Sequence, residues 1–342
     1  MRTSDVLTQD SMKRIRVIQI GLGPLGIKVA ELIAQRQGIL TMAAVDNNPK
    51  LVGKSLDTLS EKLNKEVLIK ESVADAIYIQ KPDVAIITTV SDMKRIAPQV
   101  EELINLNIPV VSTCEELSYP WEESCDVAKH IDMLARKKGV AVVGTGVNPG
   151  FLMDALPSFL TSLSQDVESI HVKRFQNAGI RRVPFQKKIG AGLTPSEFEV
   201  ERKSGKLRHV GLKESMNFIA ASLGWTLDRT VDHISPVIAA NEIESEGVEI
   251  KAGHATGVHQ VGTAYVGSQK KITLTFQAAV GEESSYDEIE IKGSPHIKSR
   301  IEGGINGDVA TCAITVNTTR QILKAQPGLR TMADIPMTSY FN

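Results

Sequence analysis

Residues 110–121, VVSTCEELSYPW, bring a thiol and two carboxylates together directly after a run of β-branched residues that predicts a buried strand. A nucleophilic Cys114 would need a nearby cation or base to lower its thiol pKa, and two adjacent glutamates have the opposite effect. Glu115 or Glu116 could instead accept a proton from an amine or from attacking water while hydride leaves the substrate carbon. The alternative for either glutamate is a structural place in the first turn of a helix, where the helix dipole favours acids.

The stretch VIQIGLGPLGIKVAEL contains Gly21, Gly23 and Gly26 in the pattern G-x-G-x-x-G, between a predicted strand and a predicted helix. Such glycines permit a tight turn and close approach to a pyrophosphate, which the helix N-terminus can bind through its free N–H groups. Asp46 ends the next strand about 20 residues later, where a carboxylate can bind the adenosine ribose. Because it also repels a 2′-phosphate, the expected cofactor is NAD or NADP, with NAD favoured. The alternative is an ordinary glycine turn with Asp46 as a cap.

The elements that must position these residues are predicted to alternate between strands and helices, as in βαβ units. In open parallel sheets, ligands lie beyond the carboxyl ends of the strands, so the ends of later strands become candidates as well. The predicted cofactor-binding residues are Gly21, Leu22, Gly23, Pro24, Leu25, Gly26, Asp46, Thr88, Thr89, Thr113 and Asn148.

The predicted fold class is α/β, with an N-terminal Rossmann-type doubly wound parallel sheet and a second α+β domain with a mixed sheet. Apolar runs such as RIRVIQI and DVAIITT alternate with amphipathic segments over residues 14–150, with Gly38 and Gly139 as predicted helix C-caps. A predicted helix over 151–163 opens the second domain, which continues in alternating strands to residue 305. Residues 306–342 are predicted to form a helix and a tail that pack back on the first domain. Residues 1–13 are predicted to be a polar leader.

Bulk properties exclude several classes of function. A formal net charge of -1 over 342 residues provides no basic field for nucleic acid or an anionic membrane surface. The three cysteines lack CxxC spacing, and His254 and His259 lack the spacing of metal ligands. No stretch approaches the ~18 consecutive apolar residues of a membrane span. The expectation is a cytoplasmic homodimer without a metal, whose partners are small molecules rather than nucleic acid or a membrane.

Five motifs carry a resemblance to a known family: GLGPLG, VVSTCEELSYPW, GTGVNPGFLMDALP, RRVPFQKKIGAG and GDVATCAITVN. They resemble the 2,4-diaminopentanoate dehydrogenase family, which includes the native amine dehydrogenases and is related to dihydrodipicolinate reductases. The resemblance covers nearly the whole chain after the leader. It implies oxidative deamination at C4 of a 2,4-diamino acid, giving 2-amino-4-oxopentanoate, ammonia and reduced nicotinamide, with reductive amination of ketones in reverse. It places the catalytic carboxylate in the CEE motif, at Glu115, with Glu116 as the fallback.

The predicted substrate-binding residues are Asn148, Phe151, Arg182 and Lys187. Asn148 lies in the VNPG turn and could hold the nicotinamide amide or the substrate, unless it forms only an Asx turn. Phe151 could wall the pocket. An amino acid carboxylate requires a cation, and a basic cluster at Arg181, Arg182, Lys187 and Lys188 could provide it, although each of these residues could equally be a solvated surface charge.

Two alternative functions stay open at this stage. One is an imine or aldehyde reductase of the dihydrodipicolinate reductase type, although the His-His-Lys segment expected of the true reductases is absent from the sequence. The other is a dinucleotide-sensing regulator without turnover. Accumulation of reduced cofactor with an amine would separate the dehydrogenase from both.

Overall fold

The computed structural model describes residues 14–181, 183–205, 207, 210–245 and 248–342. The chain divides into two compact units. The first unit comprises the described residues up to Gly146 together with Thr311–Asn342, and the second unit comprises Val147–Ala310.

The first unit contains a seven-stranded sheet in which every strand pair is parallel. Its strands are β1 (Ile15–Ile20), β2 (Ile39–Val45), β3 (Ile69–Lys70), β4 (Val84–Ile87), β5 (Val110–Ser112), β6 (Ala141–Gly144) and, from the C-terminal segment, β15 (Gly328–Arg330). The strand order is β15-β6-β5-β4-β1-β2-β3.

Helices cover both faces of this sheet. They are α1 (Pro24–Ala34), the short α2 (Val73–Ala76), α3 (Met93–Asn105), α4 (Cys125–Lys138) and α9 (Gly307–Ile322). Alternate strand residues enter two different cores, so that Val17 and Ile86 pack with α1 and α9, while Ile18 and Ile87 pack with α3 and α4. Strands buried on both faces read as continuous apolar runs, which is why β4 is VAII with all four residues buried.

The second unit contains a six-stranded mixed sheet in the order β14-β13-β7-β12-β11-β8. Its strands are β7 (Asp166–Asn177), β8 (Arg229–Ile238), β11 (Ala255–Val266), β12 (Gln269–Ala279), β13 (Tyr286–Ser294) and β14 (Ile297–Glu302), and β9 (Ile243–Ser245) pairs with β10 (Val248–Ile250) beside it. Only β7 and β12 pair in parallel among these strands. The helices are α5 (Ala155–Leu160), α6 (Val183–Lys188), α7 (Pro195–Lys203) and α8 (Leu212–Ser222). The predicted fold class is confirmed.

Two local predictions were wrong. Helix α1 ends at Ala34 with Gln35 as its C-cap, so Gly38 is not a cap and instead precedes β2, accepting a hydrogen bond from the Ile15 N–H at 2.9 Å. The helix predicted to begin at residue 151 begins at Ala155, because the Asp154 side chain caps it there and the preceding residues form a turn. Gly139 does cap α4, with a φ of 70°.

No helix among the described residues combines the length and apolar character that a membrane crossing requires. Within the same residues, no group of three or more histidine, cysteine, aspartate or glutamate side chains is placed to hold a metal ion.

Candidate functional site

The glycine turn between β1 and α1 is closely packed on one side and open on the other. Gly21 has a φ of +88°, and a Cβ there would lie 2.8 Å from the Thr89 Cγ2. A Cβ at Gly26 would lie 2.0 Å from the Gly21 carbonyl oxygen. By contrast, no atom lies within 4 Å of the place a Gly23 Cβ would take. The turn therefore leaves its backbone accessible at Gly23, at the N-terminus of α1, where a pyrophosphate can bind.

Hydrogen bonds from neighbouring strand ends hold this turn in place. The fully buried Gln19 donates to the Gly21 carbonyl oxygen at 3.1 Å, and the Thr88 hydroxyl donates to the same oxygen at 2.8 Å. Asp46 accepts the Leu22 N–H at 2.7 Å through Oδ2 and the Asn48 N–H at 2.8 Å through Oδ1. Asp46 therefore stabilises the glycine turn through a hydrogen bond, and it is also a candidate to bind a ribose.

A groove of about 580 Å³ runs along this edge of the sheet. Of the predicted cofactor residues, five line it: Gly21, Gly23, Asp46, Thr88 and Thr89. Its volume lies within the range of roughly 300–1,000 Å³ that is typical of small-molecule sites. The glycine turn, the helix N-terminus and the carboxylate together fit a nicotinamide dinucleotide.

The other predicted cofactor residues of the first unit support the turn or lie elsewhere. The Leu22 side chain is buried in the core, Pro24 begins α1, and Leu25 packs against the core beneath α1. Gly26 contacts the Gly21 carbonyl, as described above. Thr113 is half-buried, and its N–H donates to the Ile87 carbonyl oxygen at 3.1 Å.

Sequence reasoning missed the groove wall formed by α3. Arg95, Gln99 and Glu102 line the groove from positions i, i+4 and i+7 of this helix, which share one helical face. Thr89 donates to the Gln99 Oε1 at 2.9 Å. The signal was present in SDMKRIAPQVEELINLN, where these polar residues alternate with the buried apolar stripe directly after a strand end.

The two glutamates after β5 differ in what their carboxylates contact. Both lie in a short 3₁₀ helix, Glu115–Leu117, and both are half-buried. Glu116 accepts the Met93 N–H at 2.8 Å and so adds a second carboxylate to the start of α3, where Asp92 is the N-cap. The Glu115 carboxylate has no hydrogen-bond or ion-pair partner among the described residues. Glu115 is therefore the glutamate whose carboxylate can act on a ligand without breaking a bond within the protein.

The neighbouring thiol is unsuited to nucleophilic catalysis. Cys114 is 1% exposed, and burial raises the pKa of its thiol to about 12, with the charges of Glu115 and Glu116 adding to the rise. The group therefore stays a neutral thiol at ordinary pH.

Gly144, at the end of β6, allows the 3₁₀ helix to lie close to the sheet. A Cβ at this position would lie 2.4 Å from the Leu117 carbonyl carbon and 2.7 Å from the Ser118 nitrogen. The Ser118 hydroxyl in turn donates to the Glu115 carbonyl oxygen at 2.7 Å. The position of Glu115 thus depends on a glycine of the neighbouring strand.

In the second unit, the turn after Val147 carries Asn148 and Phe151. The Asn148 side chain is 9% exposed, and neither its oxygen nor its nitrogen has a hydrogen-bond partner among the residues that the structure describes. Phe151 is half-buried. Asp154, fully buried, accepts the Gly150 N–H at 2.7 Å, and burial raises the pKa of its carboxyl against the opposing effect of its hydrogen bonds.

The residues of the basic cluster do not share one set of contacts. Arg181 donates to Asp308 at 2.7 Å and lies 4.2 Å above the Phe185 ring. Lys187 and Lys188 are exposed at the end of α6. Arg182 lies outside the described residues.

A different cation of the second unit is buried. Arg174, 3% exposed, pairs with Asp287 at 3.0 Å and donates to the Ile305 carbonyl oxygen at 2.6 Å. The sequence could have indicated this burial, because Arg174 follows Ile170 and Val172 at every second position of β7 and therefore shares their face of the sheet. The two histidines make ordinary contacts, His254 with the Gly192 carbonyl and His259 with Gln277.

Comparison with known families decides where the chain belongs. Residues 151–341 match the family model described as the 2,4-diaminopentanoate dehydrogenase C-terminal domain, which is more than half of the 342 residues. The chain belongs to the 2,4-diaminopentanoate dehydrogenase family. The family that the sequence motifs resemble is thus confirmed, and so is the expected enzyme class, a dehydrogenase.

Individual relatives agree with this membership of the 2,4-diaminopentanoate dehydrogenase family. The 2,4-diaminopentanoate dehydrogenase of Acetoanaerobium sticklandii is 31% identical over 334 residues, which cover 95% of this chain and 94% of the relative. The amine dehydrogenase of Mycobacterium smegmatis shares the fold with a TM-score of 0.82 at 22% identity, over 96% of this chain and 97% of that one. The scyllo-inositol dehydrogenase of Lactobacillus casei, solved with NAD(H) and scyllo-inositol, has a TM-score of 0.51 at 17% identity, over 84% and 76% of the two chains.

Proposed function

We propose that this chain catalyses the NAD(P)-dependent oxidative deamination of an amine-bearing amino acid, with 2,4-diaminopentanoate as substrate and 2-amino-4-oxopentanoate and ammonia as products. The reverse reaction is the reductive amination of a ketone. The observation that carries the proposal is the Glu115 carboxylate, half-buried and without a partner among the described residues, at the same edge of the parallel sheet as the glycine turn. The name of the Acetoanaerobium sticklandii relative supports this substrate.

The chemistry assigned to Glu115 is that of a general base. A nicotinamide dinucleotide bound in the groove would supply the acceptor for hydride from the carbon that carries the amine. Glu115 removes a proton from water as its oxygen adds to the resulting iminium carbon. Glu115 then returns this proton to the nitrogen. The C–N bond breaks with its electron pair on nitrogen, so ammonia leaves while the new hydroxyl releases its proton to solvent and becomes the carbonyl. In sum, the amine, water and oxidised cofactor give the ketone, ammonia, reduced cofactor and one proton.

The cofactor we propose is NAD rather than NADP, because the Asp46 carboxylate lines the groove and would repel a 2′-phosphate. Arg95 lines the same groove and carries the opposite charge. We therefore expect a preference for NAD rather than strict exclusion of NADP.

Recognition of the substrate carboxylate requires a cation, for which Arg182 and Lys187 remain our proposal. Arg181 is less suited because its guanidinium already pairs with Asp308. Phe151 would supply an apolar wall. A simple alkylamine would forgo the ion pair with this cation, so an amine with a carboxylate should be preferred.

The test is a substrate panel followed by the absorbance of reduced nicotinamide and by release of ammonia. It contains 2,4-diaminopentanoate, ornithine, lysine, alanine and a secondary alkylamine, each with NAD and with NADP. We expect 2,4-diaminopentanoate to react fastest and to release one ammonia for each reduced cofactor. A preference for the alkylamine would contradict the proposal that a cation binds a carboxylate of the substrate. No turnover in a protein that binds the dinucleotide would favour a regulator or an imine reductase.

We also propose that the chain forms a homodimer. Size-exclusion chromatography with light scattering should then give twice the mass of one chain, and the mass of a single chain across the accessible concentration range would contradict the proposal.

A further inference from the structure

The two faces of the six-stranded sheet in the second unit differ in what they contact. Residues at every second position of a strand share a face. On one face, side chains such as Ile170 and Val172 are buried in the core of this unit. On the other face, Phe175 and Val261 are only half-buried and belong to none of the hydrophobic core clusters of the described residues. We call this second face the open face.

The strand register arranges the open face in three rows that each cross all six strands. The rows take every second position of 231–235, 259–263, 273–277, 171–175, 286–290 and 298–302. The first three of these strands contribute three positions each, and none of the nine is Asp, Glu, Lys or Arg, although these types make up 23% of the chain. A sheet face in contact with water ordinarily carries such residues, and their depletion is typical of the centre of a protein interface.

Strands β7, β13 and β14 carry balanced charges in the same rows. The cations are Lys173, Lys298 and Arg300, and the anions are Glu288, Glu290 and Glu302. Glu288, which is 4% exposed, lies 3.2–3.3 Å from the charged nitrogens of all three cations. With three positive and three negative groups the open face has no net charge, so that a second copy of it is not repelled.

An aromatic and guanidinium stack lies at one end of these rows. The rings of Phe175 and Tyr286 stack with their centroids 4.9 Å apart, and the Arg300 guanidinium lies 3.7 Å from the Tyr286 centroid. Phe175 and Tyr286 are half-buried and Arg300 is exposed, so each can contact a partner. Aromatic residues and arginine are the residue types that most often anchor protein interfaces.

The size of the open face matches that of a stable dimer interface. Six strands about 4.8 Å apart and about ten residues long, at about 3.3 Å per residue, cover roughly 900 Å². A standard interface buries about 800 Å² on each partner.

We propose that the open face binds the open face of a second copy of this chain, in an interface with two-fold symmetry. The inference rests on the homodimer proposed above and is independent of the proposed reaction. The uncharged positions of β8, β11 and β12 are buried without the cost of desolvating charge, while Phe175, Tyr286 and Arg300 provide the anchoring contacts.

The experiment measures the mass of the wild type, Thr275→Glu and Thr226→Glu by sedimentation velocity over a series of concentrations. Thr275 lies in the middle row and is paired in register with Lys173, so a glutamate there gains a neighbouring cation and the single chain should still fold. In the dimer, the same carboxylate would be desolvated against the second copy. Thr226→Glu is the matched control, because Thr226 is exposed in the turn before β8 and lies outside the three rows.

A second measurement reads the open face of the wild type directly. Hydroxyl-radical footprinting, at concentrations below and above the dissociation constant of the dimer, compares oxidation of Tyr286 with that of Tyr78. Tyr78 is the control, because it is 90% exposed in the first unit.

We expect twice the mass of one chain for the wild type and Thr226→Glu, and a dissociation constant raised about 100-fold or more in Thr275→Glu. Oxidation of Tyr286 should slow on association while that of Tyr78 stays constant. A folded Thr275→Glu with the wild-type dissociation constant would overturn the inference. Equal oxidation of Tyr286 in both states would do the same, even if Thr275→Glu does not fold. A wild type with the mass of one chain at every concentration would overturn both this inference and the homodimer, and would leave the proposed reaction intact.

Discussion

Cys114 and Glu115 are adjacent in sequence, yet only the carboxylate is placed for chemistry. The thiol is buried with a pKa of about 12, so it stays protonated at every pH at which the enzyme would be assayed. We expect Cys114→Ala to keep most of the turnover. In the folded protein, a thiol reagent should modify the half-buried Cys125 first and reach Cys114 only on unfolding. Rapid labelling of Cys114 that abolishes activity, with protection by substrate, would contradict this assignment.

Asp46 combines two roles, because its carboxylate braces the glycine turn and also lines the groove. Asp46→Ser should weaken NAD binding and improve NADP binding relative to NAD, since the repulsion of the 2′-phosphate is removed. Loss of the bond from the Leu22 N–H should add a loss common to both cofactors. Titration of each cofactor against wild type and variant separates the two effects, and an equal loss for both would leave only the bracing role.

At the scale of the elements, alanine substitutions at two glycines of the first unit should have opposite effects on stability and on cofactor binding. Gly144→Ala should displace the Glu115–Leu117 helix, because the new Cβ would lie 2.4 Å from the Leu117 backbone. We expect a loss of about 1–3 kcal/mol in the free energy of unfolding and a lower kcat. Gly23→Ala meets no atom within 4 Å and should fold normally, while the Cβ obstructs the pyrophosphate and weakens dinucleotide binding. Denaturant unfolding and cofactor titration measure both, and the reverse pattern would contradict the packing described.

The elements themselves could be predicted where local pattern decides them. Strands such as Val84–Ile87 are short apolar runs between amphipathic segments, and the glycine turn has its own sequence signature. The start of α5 could not be predicted, because it depends on Asp154, whose carboxylate is bonded to Ser215 at a distance of 61 positions. The same holds for the difference between the two glutamates, since the Met93 N–H that engages Glu116 lies 23 positions away.

At the scale of the whole chain, the C-terminal segment completes the first unit. Strand β15 pairs with β6, and Phe341 is 8% exposed among core residues that include Val17 and Val29. Phe341→Ala should therefore cost about 3 kcal/mol of stability. Tyr340→Ala, the neighbouring aromatic at 68% exposure, is the matched control and should cost far less. Equal midpoints of thermal unfolding for the two variants would show that the tail adds little to the core.

The most direct measurement of the proposed function is steady-state turnover of 2,4-diaminopentanoate with NAD by the wild type, Glu115→Gln and Glu116→Gln. We predict reduced nicotinamide and ammonia in equal amounts from the wild type, and a fall in kcat of roughly 10²-fold or more in Glu115→Gln with nearly unchanged cofactor affinity. Glu116→Gln should mainly lower stability, because it weakens the hydrogen bond that the Met93 N–H donates to the side chain at the start of α3. Full activity in Glu115→Gln together with an inactive, folded Glu116→Gln would contradict the choice of base, and a wild type inactive on this substrate would contradict the function.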